Sequence, residues 1–365
     1  MSDQSVRAQL KDARRIVIKI GSRVLASDTE LIPRLAREVA ALKADKRSVV
    51  LVSSGAIALG TLRLGYQQRP KETAKLQAAA AAGQSVLMRR YDEAFGSLGV
   101  TAAQVLLTHA DLAERERLNN AREALAALLD AGAVPVVNEN DTVATEEIHF
   151  GDNDQLAAMV APLVGAELLV LLTDVEGVFG PDGQRMSVMG PNDTIGKVAS
   201  TGARVGSGGI ESKINAARKG CRSGAHVVIA ASSRPNAVSH ILAGEDVGTL
   251  FPAEGAPLRA RQHWIMFTLR PQGTVVLDAG AVTAVQSGKA SLLPIGVLGV
   301  RGEFNTGDAV RLVAPDGSEV GRGLARLGAL DAARAAGKKG SELDSVLGPG
   351  RADAVVVHKD DLVLA

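Results

Sequence analysis

Residues 15–21 read RIVIKIG, a short run of mostly β-branched apolar residues that ends in glycine. Such a run is typical of a buried strand. The pattern returns along the first two thirds of the chain, in SVVLVSSGA (48–56), VTAAQVLLT (100–108), AVPVVNEN (133–140), ELLVLLTDVEGV (167–178) and AHVVIAAS (225–232). We therefore predict a sheet built from these strands.

Segments with helical periodicity lie between the strands. RLAREVAALKA (34–44) repeats its apolar residues at helical spacing, and longer helices are predicted at 73–99 and 115–132. Strands that alternate with helices indicate a parallel sheet that is covered on both faces. The predicted fold class is α/β, a three-layer α/β/α sandwich with a mainly parallel sheet. Ligands of such sheets bind beyond the C-terminal ends of the strands.

The pattern changes near residue 252. FPAEGAPLRARQHW (251–264) carries two prolines and is typical of a linker, and the later strands are short and separated by glycine turns. The PDG at 315–317 indicates a hairpin. We predict a first domain at 1–252, a linker at 253–270 and a small β-rich domain at 271–365 with a helix near 328–336.

Composition excludes several classes of protein. Of the 365 residues, 46% are hydrophobic and 22% are charged, and the formal net charge is +1, so no global basic field attracts nucleic acid or membrane. A single cysteine, Cys221, excludes a disulfide framework and a zinc site built from cysteines. The polar N-terminus lacks the apolar core of a signal peptide, and no apolar run is long enough to span a membrane. We expect a cytoplasmic protein.

Two strand ends carry groups that suit an anion. Lys19 precedes the glycine end of the first strand, which places an ammonium group beside free backbone N–H groups. Ser53 and Ser54 open a helix, where hydroxyl and N–H groups attract anions. Taken alone, the first also fits a solvent-facing lysine and the second a simple helix cap.

The third strand end is the acidic stretch NENDTVATEEIHFGDND (138–154), which holds six acidic residues. A capping role explains only one of Asp152, Asn153 and Asp154. An EF-hand is excluded because Leu156 interrupts the alternation of oxygen ligands. We interpret the stretch as a site that holds an ammonium group and orients lysines.

The fourth strand end is followed by GSGGIESK (206–213), whose glycines allow close approach of a ligand. Lys213 lies in the first turn of the next helix, where a cation is unfavourable unless an anion is bound there. This placement favours a bound phosphate, although no Walker sequence is present. Thr173 and Asp174 fit either a nucleotide contact or a turn cap.

Together these loops resemble the amino acid kinase superfamily, and within it the branch that phosphorylates the γ-carboxylate of glutamate. The motifs occur in family order, and the segment from ASLLPIGVLGVRGEFNTGD to VVVHKDD resembles the PUA domain that bacterial members append. The resemblance implies an ATP-dependent kinase with Mg²⁺ carried by the nucleotide phosphates and no metal held by the protein itself. It also implies the first step of proline biosynthesis and feedback inhibition by proline.

The resemblance also assigns site residues. Lys19 and Lys213 match the phosphate-contacting lysines, and Asp154 matches the aspartate that organises them. Ser54, Asp141 and Asn153 match glutamate-binding positions, with Asn138 nearby. The matched nucleotide-binding residues are Lys19, Thr173, Asp174, Ser207, Gly208, Gly209, Ile210, Glu211, Ser212 and Lys213. Glu211 departs from the family pattern, which commonly has no carboxylate there.

The implied chemistry needs no general base, because a γ-carboxylate with a pKa of roughly 4.3 is already ionised at neutral pH. Lys19 and Lys213 would flank the phosphoryl group, while Asp141 and Asn153 would hold the α-amino and α-carboxylate ends of L-glutamate. We expect a homo-oligomer, either a dimer or a tetramer.

Acetylglutamate, aspartate or UMP kinase activity is the alternative within the superfamily. Asp141 favours a substrate with a free amino group. RNA binding by residues 271–365 is disfavoured, because they hold 10 Lys and Arg against 11 Asp and Glu, and Phe304 is their only aromatic residue.

Overall fold

The computed structural model describes residues 3–144, 153–191, 193–195, 209–255 and 257–365. The chain divides into two compact units, Met1–Pro257 and Leu258–Ala365. The division falls within the segment 253–270, and the domain limits at 252 and 271 stay predictions. Within the described residues, no helix has the length and apolar character needed to cross a membrane.

The first unit is built on a seven-stranded sheet with the strand order β3-β4-β2-β1-β5-β6-β7. Neighbouring strands are parallel except for the last pair, β6 and β7, which is antiparallel. The strands are β1 (Arg15–Ile20), β2 (Ser48–Ser53), β3 (Ala102–Leu107), β4 (Val134–Glu139), β5 (Leu168–Thr173), β6 (His226–Ala231) and β7 (Thr249–Phe251).

Ten α-helices of the described residues belong to this unit. They are α1 (Asp3–Ala8), α2 (Ser22–Ser27), α3 (Leu31–Ala44), α4 (Ala56–Arg63), α5 (Thr73–Gly96), α6 (His109–Ala113), α7 (Arg115–Asp130), α8 (Asn153–Leu163), α9 (Ile210–Arg222) and α10 (Ala237–Leu242). A short 3-10 helix, Gln9–Asp12, follows α1.

Two apolar cores lie on opposite faces of the sheet, because successive strand side chains point to opposite sides. Ile16, Ile18 and Ile20 of β1 belong to the core that contains residues of α3, α5 and α10. Val17 of the same strand belongs to the core with residues of α7, α8 and α9. The three-layer α/β/α prediction is therefore confirmed.

Helices α4 and α5 cross at two glycines. A Cβ atom on Gly60 would lie 1.7 Å from the Ala79 carbonyl oxygen, and one on Gly83 would lie 1.8 Å from the Ala56 carbonyl oxygen. The two backbones therefore approach more closely than any larger residue allows. This crossing fixes α4, whose N-terminus follows Ser54 at the edge of the sheet.

The second unit contains a five-stranded sheet with the order β12-β11-β10-β8-β9, in which β8 and β10 are parallel and the other pairs are antiparallel. Its strands are β8 (Gly273–Leu277), β9 (Val297–Gly302), β10 (Ala309–Val313), β11 (Glu319–Ala325) and β12 (Val357–Leu364). Its α-helices are α11 (Ala260–His263), α12 (Ala279–Gln286), α13 (Ala329–Ala335) and α14 (Ser341–Leu347).

The predicted helix near 328–336 is present as α13. The sequence pattern did not indicate the short helices α12, which follows β8, and α14, which follows α13. Residues 260–268, in the stretch with a linker-like composition, are helical, with α11 followed by a π-helical turn at Trp264–Thr268. Apolar residues of this turn, Ile265 and Met266, are buried and cluster with Val363.

Candidate active site

A cavity of about 720 Å³ opens at the C-terminal ends of the parallel strands in the first unit. This is the edge of the sheet at which ligands of such folds bind. Its lining includes residues from β1, β4, β5 and the starts of α4, α8 and α9. Most of the site residues predicted from the sequence therefore meet at one place, and these are Lys19, Ser54, Asn138, Asp141, Asn153, Thr173, Asp174 and Lys213.

Asp154 joins the two predicted lysines. Its Oδ1 lies 2.6 Å from Nζ of Lys19, and its Oδ2 lies 2.9 Å from Nζ of Lys213. The carboxylate is fully buried, and both lysines are less than a tenth exposed. Side chains from three distant parts of the sequence thus form one ionic cluster, and both of its lysines line the cavity.

The cluster carries an excess of positive charge, since two ammonium groups share one carboxylate. Buried ions are costly unless they are paired, and Asp154 provides the pairing for both lysines. Both lysines also line the cavity. An arrangement of this kind suits an anion that carries more than one negative charge.

The amide of Asn153 is held by neighbouring polar groups. Its Nδ2 donates to the Ser53 carbonyl oxygen at 2.6 Å, and it lies 2.9 Å from both Oγ of Ser54 and Oδ1 of Asn138. Asn138 in turn donates to Oε1 of Gln84. The Nδ2 group of Asn153 is therefore committed within the protein, and its carbonyl oxygen is the group that remains for a ligand.

Ser53 is buried beneath this network. Its Oγ lies 2.9 Å from the hydroxyl of Tyr91, and burial raises the pKa of Tyr91 well above its usual value. The tyrosine is therefore neutral across the physiological range. Its hydroxyl is a polar group inside an apolar core, and it bonds to Ser53 at the end of β2.

Asp174 lies at the cavity after β5. Partial burial raises the pKa of Asp174, but hydrogen bonds from Thr173 and its own backbone N–H, together with Arg23 and Lys213, outweigh this and lower it overall. The Thr173 hydroxyl donates to Oδ1 at 3.0 Å, and the Arg23 guanidinium lies 3.6 Å from Oδ2. Thr173 is consequently oriented by its neighbour, in addition to its place at the strand end.

The start of α9 contains most of the predicted glycine loop. Gly209 is the N-cap, and the first turn runs from Ile210 to Lys213. Within the described part of the chain, Lys213 is the member of this group that lines the cavity. The other predicted residues, Asp152, Ser207 and Gly208, lie outside the described residues.

The cavity extends past the predicted residues toward the segment between α4 and α5. Tyr66, Gln67, Gln68 and Arg69 line this part. Sequence reasoning missed them because the segment has no periodicity and does not follow a strand. Gln84 was missed for a related reason, since it lies within a long alanine-rich helix and contacts the site only through Asn138.

Family models match both units of the chain. The amino acid kinase family matches residues 14–231, and the PUA domain matches residues 273–347. A solved structure, N-acetylglutamate synthase from Neisseria gonorrhoeae complexed with coenzyme A and N-acetyl-glutamate, aligns with a TM-score of 0.50 and 18% identity. It covers 69% of this chain and 62% of that chain, and at this identity the likeness concerns the fold alone.

Two curated relatives match this chain over nearly their full length. The glutamate 5-kinase of Thermus thermophilus is 47% identical over 96% of this chain and 97% of its own length. The glutamate 5-kinase of Cupriavidus metallidurans is 44% identical over 99% of this chain and all of its own length. The chain therefore belongs to the glutamate 5-kinase family of amino acid kinases, phosphotransferases that act on a carboxyl group, and carries a PUA domain at its C-terminal end.

Proposed function

We propose that this protein transfers the γ-phosphoryl group of ATP to the γ-carboxylate of L-glutamate. A carboxylate oxygen forms a bond to the γ-phosphorus, the bond between that phosphorus and the β,γ-bridging oxygen breaks, and the products are L-glutamyl 5-phosphate and ADP. Because the attacking carboxylate is already ionised at neutral pH, no proton has to be removed. The residues must instead bring two anions together and stabilise the charge that develops.

Lys19 and Lys213 are the groups that we assign to this task. Both lysines line the cavity, and the same carboxylate pairs with both ammonium groups. Fixed cations stabilise a transferring phosphoryl group without having to reorganise during the reaction. Asp154 acts as a positioning residue, since its two oxygens hold the lysines and neither has to contact the substrate.

The amino acid end of the substrate requires a different set of groups. We assign the α-ammonium group to Asp141 and to the carbonyl oxygen of Asn153, since carboxylate and amide oxygens accept from ammonium. The Nδ2 group of Asn153 is already committed to Ser53, Ser54 and Asn138, so it is a poor candidate for the α-carboxylate. We therefore revise our expectation that Asn153 would bind that carboxylate.

Arg69 is the candidate that replaces Asn153 for this role. It lines the cavity, and no acidic partner is found for it among the described residues. An arginine fork matches the two oxygens of a carboxylate. With Arg69 and the two lysines in its lining, the cavity provides cations for both carboxylates of glutamate.

The nucleotide is assigned to the side of the cavity formed by Thr173, Asp174 and the start of α9. The positive end of a helix at Gly209 and the ammonium group of Lys213 both suit phosphate oxygens. We propose that Mg²⁺ is carried by the nucleotide phosphates, because this ion takes few protein ligands when phosphates are present. When bound, it neutralises charge on the phosphate oxygens.

Further parts of the proposal rest on the family resemblance. We propose that the product enters proline biosynthesis, that proline inhibits the enzyme, and that it acts in the cytoplasm as a homo-oligomer. N-acetylglutamate, aspartate and UMP remain the alternative acceptors. Asp141 lines the cavity and favours a substrate with a free amino group. Its carboxylate can pair with an α-ammonium group but not with an N-acetyl group, which carries no charge.

The observation that carries the proposal is the pairing of both lysines with Asp154. The test is a panel of L-glutamate, N-acetylglutamate, L-aspartate and UMP with ATP and Mg²⁺, with and without proline. ADP release is measured for all four, and acyl phosphate is trapped with hydroxylamine for the three carboxylates. We expect kcat/KM to be highest for L-glutamate, and a higher value for any other acceptor would contradict the proposed substrate.

A further inference from the structure

The PUA domain has a second large cavity, of about 1150 Å³. Its lining brings together six lysines and arginines, namely Arg259, Arg261, Lys289, Arg326, Arg351 and Lys359, against two aspartates. The whole unit from 258 to 365 is close to neutral, with 13 basic and 11 acidic residues. The positive charge of this unit is therefore concentrated at one place, which we call the C-terminal cationic cavity.

One of the two aspartates, Asp361, pairs with two arginines of the cavity. Asp361 is almost fully buried, and its two oxygens pair with Arg261 and with Arg326, the latter at 2.6 Å. Both guanidinium groups are about half exposed. A guanidinium has five N–H donors, so each keeps donors beyond those that Asp361 occupies. The buried carboxylate therefore holds two arginines in fixed positions at the cavity rim.

The remaining cations of the cavity are not engaged in this way. Within the described residues, no acidic partner is found for the side chains of Lys289, Arg351 and Lys359, and all three are exposed. Like charges that are gathered without partners repel one another, and a bound anion relieves this repulsion. The mixture of fixed guanidinium groups and adjustable lysines fits a ligand with several phosphate groups.

We propose that the C-terminal cationic cavity binds a compact ligand that carries two or more phosphate groups, separately from the nucleotide of the kinase domain. A single phosphate would meet only part of a lining that extends over six cations. A nucleic acid is less well suited, because no Phe, Tyr or Trp is found among the residues that line the cavity, and base stacking would have to rely on His358 and the guanidinium groups.

The amino-acid composition of residues 271–365 does not reveal the cavity, because two of its arginines lie outside that range. Arg259 and Arg261 come from the stretch that resembles a linker in the sequence, and the helical turn at 260–263 brings them beside β12. A count over residues 271–365 leaves them out and gives a domain without excess positive charge. The inference does not rest on the proposed substrate of the kinase domain.

Inorganic tripolyphosphate is the probe for a test by isothermal titration calorimetry on the full chain, in a buffer with a chelator and moderate salt. The test variant is Lys289→Gln with Arg351→Gln and Lys359→Gln, which leaves the pairs of Asp361 in place. The matched control, Arg334→Gln with Lys338→Gln and Lys339→Gln, removes the same charge from the same domain outside the cavity. Thermal unfolding curves report whether either triple variant alters the fold.

We expect the wild type and the control to bind tripolyphosphate with the same Kd. The Kd of the test variant for the same site should be at least tenfold higher. The kinase site is unchanged in all three proteins, so its contribution cancels in the comparison. Equal affinity in all three proteins would overturn the proposal. So would a single-stranded RNA that binds the wild type, is lost in the test variant and is not displaced by tripolyphosphate.

Discussion

Lys19 and Lys213 meet at the two oxygens of one buried carboxylate, although the first lies near the end of β1 and the second in the first turn of α9. Neither lysine touches solvent to any large extent. A lysine in the first turn of a helix is unfavourable for the helix dipole, and its burial adds a desolvation cost. This placement disfavours stability and is therefore best explained by chemistry at the cavity.

Replacing either lysine by methionine should remove a stabilising charge from the phosphoryl group while keeping the length of the side chain. We expect Lys19→Met and Lys213→Met each to lower kcat by about 10²–10³. Steady-state kinetics with ATP and L-glutamate provides the measurement. Because one ammonium still pairs with Asp154, each single variant should remain folded by circular dichroism.

The control for this pair is Lys219→Met. Lys219 lies on the same helix as Lys213, but its Nζ bonds to Oε1 of Gln155 at 2.5 Å and it does not belong to the cavity lining. Its kcat should stay within about twofold of the wild type. A loss in Lys219→Met as large as in Lys213→Met would argue that the effect is structural.

Arg69→Gln should weaken binding of the amino acid and leave the nucleotide unaffected. Removal of a charge-assisted bond to a carboxylate costs about 1.5–3 kcal/mol, so we expect KM for L-glutamate to rise by tenfold or more and KM for ATP to stay the same. A substrate without the α-carboxylate, 4-aminobutyrate, should react poorly but equally with both proteins. An equal loss for both substrates would reject the contact between Arg69 and the α-carboxylate.

His226 gives a pH-dependent stability to the first unit. Burial lowers the pKa of His226 below its ordinary value of 6.5, and its Nδ1 accepts from the Ala253 backbone N–H, which requires an unprotonated nitrogen. The unfolded chain therefore binds a proton that the folded chain excludes. The resulting stability is complete above about pH 6.5 and is lost as the pH falls toward the lower, folded pKa.

His226→Gln should remove this dependence, because glutamine keeps an acceptor and does not titrate. We expect the urea midpoint of the wild type to fall more steeply than that of the variant between pH 7 and pH 5. Above pH 7.5, the difference between the two proteins should be constant. Parallel curves over the whole range would mean that the ring is not excluded from protonation in the folded state.

Much of the sheet could be predicted from the sequence because its strands are buried on both faces. A strand such as β5 is apolar along its length, which is typical of a parallel sheet covered on both faces. Its two neighbours, β1 and β6, are indeed parallel to it. The ends of these strands then had to meet at one edge, which places Lys19, Thr173 and Asn138 near each other. That part of the site follows from topology.

Other parts of the site depend on contacts that local patterns do not encode. Arg69 lines the cavity and Gln84 bonds to Asn138. These residues belong to α5 and to the segment between α4 and α5, and the close approach of the two helices depends on two glycines far apart in sequence. The role of Arg261 depends likewise on a buried aspartate a hundred residues later. Periodicity describes which face of one element is apolar and carries no information on such pairs.

The crossing of α4 and α5 leads to the last prediction. A Cβ atom on Gly83 would lie 1.8 Å from the Ala56 carbonyl oxygen and 2.5 Å from the Gly60 nitrogen. These are backbone atoms, so no rotamer change relieves the contact, and the helices must separate. We expect Gly83→Ala to lower the free energy of unfolding by about 3 kcal/mol, at the upper end of the usual cost of overpacking, in a urea titration.

Gly96→Ala is the matched control, because this glycine lies on the same helix and a Cβ atom there meets no heavy atom within 4 Å. Alanine should stabilise the protein by about 0.4–1 kcal/mol, since it reduces the freedom of the unfolded chain. Separation of α4 from α5 should also displace Ser54 and Arg69, which both line the cavity, so Gly83→Ala should raise KM for L-glutamate. A Gly83→Ala protein as stable as Gly96→Ala would show that the two helices do not pack through their backbones.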